Sequence, residues 1–278
     1  MNNWYLNIPK KIHFYWSGKM PYLRYLSALS FKKLNPGWEI ILWTSKYKSK
    51  LRTWNTGELN YAENWDDWSD RFSELCNEVY EVDFAQLGVR NDISEVHKSD
   101  LLRYWVLNKY GGVYSDTDIV YFNPIVNLSV NRKENQVVET FVCICNYGHS
   151  IGFLMASLGS GFFGRMFNEA CEVDMVRYQS IGPDLCNMLF PNIESINDFY
   201  EAVNIGMDAV YYHNGQHIDE LYKGNDMNFP YGSIGVHWYA GSPLSGYFLN
   251  STNGGLKNLP DNIVGKLCKA SLDGKTNL

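Results

Sequence analysis

Residues 10 to 16, KKIHFYW, alternate in polarity and are rich in β-formers; they predict a strand, and the turn-like SGKMP that follows ends it. The period then changes. Across 21 to 34, Leu23, Leu26, Leu29 and Leu34 fall near one helical face, and Asn35-Pro36-Gly37 stops the helix. WEIILWT, residues 38 to 44, reads as a second short apolar strand. A strand, a helix and a strand in succession open a parallel sheet, because parallel neighbours need a crossover between them.

Residues 45 to 90 are charged, Trp-containing and weakly periodic, which predicts irregular helices. From 93 to 112, Val96, Leu101, Tyr104 and Leu107 are spaced for burial on a helix, and Gly111 and Gly112 stand where its C-terminal cap belongs. VYSDTDIVYF follows as a strand interrupted at its middle by acidic residues. Residues 136 to 167 predict a strand, a loop and a helix; SIGPDL and a further αβ stretch reach 213, and 235 to 244 form a short strand opening into a loop. With no internal repeat or linker, the chain reads as one domain over 1–250 and a polar tail over 251–278.

Composition adds bounds. With 278 residues, 45% of them hydrophobic, the chain can bury a sizeable core without metal or disulfide staples. A formal charge of -6 offers no general attraction for phosphate backbones, so a nucleic-acid partner is disfavoured. The cysteines at 76, 143, 145, 171, 186 and 268 contain no CxxC pair or zinc-site spacing, and reduced thiols in a cytoplasm are the default. No signal peptide is evident at the start, and no window holds the roughly 18 apolar residues of a membrane span. The expectation is therefore a cytoplasmic protein, with any membrane association peripheral and at the inner face. The 20 Tyr, 9 Trp and 14 Phe suit stacking on bases and sugars, and equally suit core packing.

The sharpest chemical signal is Asp116-Thr117-Asp118, between the apolar runs Val113-Tyr114 and Ile119-Val120. In an extended chain the side chains at i and i+2 share a face, so both carboxylates can converge on one ion. Hard oxygen ligands suit Mg²⁺ or Mn²⁺, and such an ion stabilises the charge that builds on a departing diphosphate. A solvent-facing turn seldom sits between two apolar strand halves, which favours the metal. Asp100 and Arg103 share a face of the preceding helix; they form either an ordinary surface ion pair or a sugar-binding pair, and the nearby acidic residues favour the latter.

HKSDLLRYWVLNKYGGVYSDTDIVYF resembles the signature of the DXD-containing sugar-binding-region glycosyltransferases, family 32 and, more distantly, the glucosylating domains of the large clostridial toxins. The match runs in order through Ser99, Asp100, Arg103, Gly111, Gly112, Tyr114, Asp116 and Asp118. IPKKIHFYWSG is similar to the opening strand of that family, whose aromatic residue, here Trp16, lies against the nucleotide base, and GVHWYAGSP resembles its closing loop. The resemblance implies an α/β GT-A fold, with a Rossmann-like, mostly parallel central sheet flanked by helices and a DxD-bearing strand end. Residues 1–128 would form the nucleotide-sugar-binding half and 129–250 the acceptor-binding half with its closing loop. It also implies a UDP-sugar donor, Mn²⁺ (or Mg²⁺), and transfer with retention of configuration.

By the same resemblance Asp118 is the direct metal ligand, while Asp116 acts on the metal, through water, or on the ribose and sugar hydroxyls. His237 is the candidate third ligand. Asp100 accepts hydrogen bonds from sugar hydroxyls, Arg103 steadies sugar or phosphates, and Ser99 and Tyr114 stand on the donor side. Ser242 is a contact for metal or phosphate; the family often has tryptophan next, whereas Pro243 stands here and Trp238 is the substitute. Asp184 either orients the acceptor hydroxyl or is simply the acidic residue of a helix's first turn. The remaining histidines are read as structural or surface residues. The function expected is transfer of a hexose or N-acetylhexosamine to a hydroxyl of a saccharide or glycolipid, in surface polysaccharide or glycolipid synthesis. The alternatives are toxin-like glycosylation of a protein, or a nucleotide-sugar or glycan-binding module without turnover; the full set of Asp100, Arg103, Asp116 and Asp118 favours catalysis.

Overall fold

Alternation along a strand sends successive side chains to opposite faces, and β1 (Lys11–Tyr15) shows the outcome: Ile12 and Phe14 enter one core and Tyr15 another. β2 (Glu39–Ser45) does the same, dividing Ile40 and Leu42 from Ile41 and Trp43. The computed structural model describes residues 7–53, 58–131 and 137–272. Within them lie β3 (Glu78–Val82), β4 (Gly112–Ser115), β5 (Ile119–Tyr121), β6 (Thr140–Cys145), β7 (Gly148–Ala156), β8 (Ala202–Asn204) and β9 (Gly235–His237).

The central sheet has the order β3-β2-β1-β4-β7-β6-β8, and a separate two-stranded sheet pairs β5 with β9. Neighbours in the central sheet are parallel except at β7, which runs antiparallel to both β4 and β6. The helices Tyr22–Leu34 and Ser69–Leu75 cover one face through Ala28, Phe31 and Phe72. The helices Glu95–Tyr110 and Gly161–Glu172 cover the other through Leu101, Leu102, Phe162 and Phe163. This mostly parallel, helix-flanked sheet is the α/β architecture that the sequence led us to expect.

The predicted helix at 93 to 112 is present, started by the Ser94 hydroxyl, which accepts from the His97 amide, and ended at Gly111 with φ 61°. Gly112 follows at φ 90°, and a Cβ there would lie 2.5 Å from the Lys11 carbonyl oxygen. Only glycine therefore lets the helix turn directly into β4 beside β1. Buried His13 completes this corner, accepting from the Trp43 indole at Nδ1 (3.1 Å), which leaves the Nε2 proton for the Gly111 carbonyl (3.0 Å). Burial lowers its pKa to about 4, so it is neutral.

Three expectations need correction. Residues 45 to 90 contain β3, whose first four positions are exposed at the sheet edge and so carry no apolar face to announce a strand. VYSDTDIVYF is not one interrupted strand: β4 and β5 belong to different sheets, with a turn between them. The residues after 250 are not a polar tail throughout, for the helix Ile263–Leu272 buries Ile263, Val264, Leu267 and Cys268 against Leu23 and Leu26 of the first helix. Among the described residues no helix is long and apolar enough to cross a membrane.

Candidate active site

Asp116, Thr117 and Asp118 converge because the chain turns, not because it is extended. The Asp116 amide donates to the Gly152 carbonyl (2.7 Å) and the Trp238 amide to the Asp118 carbonyl (2.9 Å), which fixes the turn at both ends. From below, the first helix presents a polar stripe three residues apart: Arg24 donates to Thr117 Oγ1 (2.7 Å), the Ser27 hydroxyl to the Asp116 carbonyl (3.5 Å), and Ser30 Oγ accepts from the Tyr121 amide (3.0 Å). The register of β5 with β9 sets His237 opposite Ile119, beside Asp118. One ligand atom each from Asp116, Asp118 and His237 consequently lies within 4.8 Å of the others.

Asp118 is 7% exposed. Burial alone would raise its pKa, but His237 at 3.2 Å, the Arg24 charge and the Ala240 amide at 3.0 Å together outweigh burial and hold the carboxyl ionised, well below the usual range. His237 Nδ1 accepts from the Tyr239 amide over a long 3.3 Å, so the ring proton sits on Nε2 and faces Asp118. Moving that proton to Nδ1 would free Nε2 as a ligand. Two carboxylates and one imidazole form a donor set suited to a divalent cation. Tyr239 itself is held at φ 52°, a left-handed backbone that costs a non-glycine residue about 1–3 kcal/mol.

The Asp100–Arg103 pair is not on the surface: the residues are 4% and 3% exposed. Arg103 Nη2 bridges Asp100 Oδ1 at 2.8 Å and Asp116 Oδ1 at 3.3 Å, and Nη1 donates to the Ile151 carbonyl at 2.7 Å. The helix and the acidic turn are thereby joined through one guanidinium. Burial, assisted by the Asp116 charge, raises the Asp100 pKa to about 7 despite the opposing pull of Arg103. Ser99 accepts from Arg103 (3.0 Å) and bonds the Tyr114 hydroxyl (2.7 Å), while the buried Tyr114 ring lies 4.7 Å from the guanidinium. Ser99 and Tyr114 thus support Arg103; Tyr114, 1% exposed, has no face free for a donor.

The other candidates separate. Trp16 follows β1 as Asp116 follows β4, at the matching ends of two parallel neighbouring strands; it is half-buried, with its indole N–H on the Gly18 carbonyl (3.0 Å) and Arg24 over its ring at 4.5 Å. Trp238 is fully buried in the core around the small sheet, so it cannot cover a donor as expected. Ser242 caps the helix Pro243–Ser251 by accepting from the Leu244 amide (3.3 Å). Asp184 lies in the first turn of the helix Pro183–Leu189 and pairs with Arg177 at 2.9 Å. Its neighbour Gly182 is the residue near the cluster, since a Cβ there would lie 3.0 Å from Asp100 Oδ2.

Sequence reasoning missed several residues that the fold brings in. Gly152 is one, because a Cβ would stand 2.6 Å from Asp116 Oδ2 and 2.9 Å from the Tyr211 hydroxyl. The Tyr211 and Tyr239 rings lie 5.2 and 4.3 Å from the His237 ring, and both hydroxyls are buried with no hydrogen-bond partner among the described residues. Tyr178 is half-buried in the field of Asp100, Asp116 and Asp118, and desolvation with those charges raises its pKa. None stands at a spacing that marks it; the separations exceed any local pattern. Arg24 is the exception, since a cation at three-residue intervals from Ser27 and Ser30 is a legible polar stripe on a helix otherwise read by its leucines.

Residues 23–137 match the family described as "Glycosyltransferase sugar-binding region containing DXD motif". No curated protein matches the chain. Among solved structures it is similar to PaToxG glycosyltransferase, at 16% identity over 69% of this chain and 73% of that one, with a TM-score of 0.47. It is also similar to the glycosyltransferase GlyE of Streptococcus pneumoniae TIGR4, at 12% identity over 98% of this chain but 63% of that one, with a TM-score of 0.46. A third likeness is to an active-site mutant of LgtC, at 14% identity over 82% of this chain and 87% of that one, with a TM-score of 0.36.

Proposed function

We propose that this chain, a glycosyltransferase by its DXD-containing sugar-binding region, transfers a hexose or N-acetylhexosamine from a UDP-sugar to a hydroxyl acceptor with retention of configuration. The observation that carries the reading is the convergence of Asp116, Asp118 and His237 at the end of β4. These three residues would hold Mn²⁺ or Mg²⁺, which when bound supplies a Lewis acid for the charge on the departing diphosphate. Arg103, already directed at Asp116, places a second positive charge beside that leaving group. Trp16 offers the ring face not covered by Arg24 to the base. Asp100 faces the sugar hydroxyls. The acceptor is a saccharide or glycolipid, met by residues 129–250 of a single domain, and the setting is the cytoplasm or the inner membrane face, in surface polysaccharide or glycolipid synthesis.

The test is release of UDP from a panel of UDP-sugars with and without Mn²⁺. Release is expected only with metal, and Asp118→Asn is expected to lower it by at least about 100-fold with an unchanged circular dichroism spectrum. Near-normal release by that variant would refute the metal role.

A further inference from the structure

Arg24 is none of the residues that the sequence motifs single out, yet its buried guanidinium reaches three of the segments that build the site. Nε and Nη2 donate to the two carboxylate oxygens of buried Glu58 at 2.7 and 2.6 Å, and Nη1 donates to Thr117 Oγ1 at 2.7 Å. Its charge lies 4.5 Å from the Trp16 ring centroid and 5.3 Å from that of Trp238. Thr117 is the centre of the acidic turn, Trp16 follows β1, and Trp238 follows His237 at the end of β9.

A buried ion pair is a weak argument for stability, because desolvation offsets most of the attraction. Orientation is what a planar fork supplies and a point charge does not: both of its edges are committed to fixed oxygens while its faces are available to rings. Here Glu58 aligns the fork, and the remaining edge is directed at the one side chain between the two carboxylates. We propose that Arg24 is a positioning residue. It holds the Asp116-Thr117-Asp118 turn, Trp16 and the His237-Trp238 segment in the mutual arrangement that binds a divalent cation and the nucleotide-sugar. The inference rests on the metal-dependent reading above and adds to it the residue that joins the metal side to the base side.

The experiment measures Mn²⁺ binding to the full chain, by the electron paramagnetic resonance signal of the free ion and by calorimetry, together with KM and kcat for UDP release. Arg24→Lys keeps the charge but loses the fork. Thr117→Val removes only the oxygen that Arg24 holds and leaves the Arg24–Glu58 pair intact, so it decides the matter should Arg24→Lys fail to fold. Each is expected to weaken Mn²⁺ binding by roughly 10–100-fold, the range for residues that orient metal ligands. Both should raise the KM for UDP-sugar more than they lower kcat. Wild-type Mn²⁺ affinity and KM in Thr117→Val would reduce Arg24 to packing and overturn the inference. Failure of the wild-type chain itself to bind Mn²⁺ is a different result, and overturns the metal-dependent reading beneath it.

Discussion

Asp100 titrates near pH 7 in the folded chain because burial and the Asp116 charge outweigh Arg103, whereas an unfolded aspartate titrates near ~3.9. Between those values the folded form binds more protons, so this group's contribution to stability is present at low pH and is lost as pH rises toward 7. Asparagine cannot titrate. The melting temperature of the wild type relative to Asp100→Asn is therefore expected to fall between pH 5 and pH 7 and to level off above it. A pH-independent difference would place Asp100 at an ordinary carboxylate value. At this scale the residues that the candidate site brings together were largely legible: Asp100, Arg103, Asp116, Asp118 and His237 stand out by local spacing or by family resemblance. Trp238 and Tyr114 were misplaced, because an aromatic residue reads alike whether its ring faces a ligand or a core.

Elements bring these residues together through a few backbone constraints. β4 can begin directly after its helix because Gly111 and Gly112 take positive φ, and Gly112 lies against the Lys11 carbonyl of β1. Gly112→Ala combines a strained φ with a collision against backbone that cannot swing aside. It is expected to destabilise the chain by more than about 1 kcal/mol, read as a lowered denaturation midpoint with an unchanged denaturant m-value. A wild-type midpoint would show that β1 and β4 are not packed as closely as the register implies. The glycine pair was visible in the sequence as a helix stop. Its second task, letting β4 approach β1, was not, because the partner strand is some hundred residues away. The turn at Asp116-Thr117-Asp118 was hidden for the same reason, since the break between β4 and β5 is set by pairing with β9.

Over the whole molecule, the first helix is the shared support. One side packs on the central sheet through Ala28 and Phe31, another on the helix Ile263–Leu272 through Leu23 and Leu26, and between them Arg24 and Ser27 hold the acidic turn while Ser30 holds β5. Leu267 is fully buried in that second contact, so Leu267→Ala is expected to cost about 2–5 kcal/mol. Chemical denaturation measures this, and a change under about 1 kcal/mol would return the segment after 250 to a loosely attached tail. The sequence by itself determined the alternation of strands and helices and the sites of unusual charge, because periodicity, capping glycines and adjacent carboxylates act over a few residues. Tertiary structure decided what those charges face: that His237 meets Asp118, that Arg103 spans two carboxylates, and that Arg24 stands beneath the turn. Each depends on strand register and helix packing between segments far apart in the chain, where the free energy of burial, not local preference, selects the neighbours.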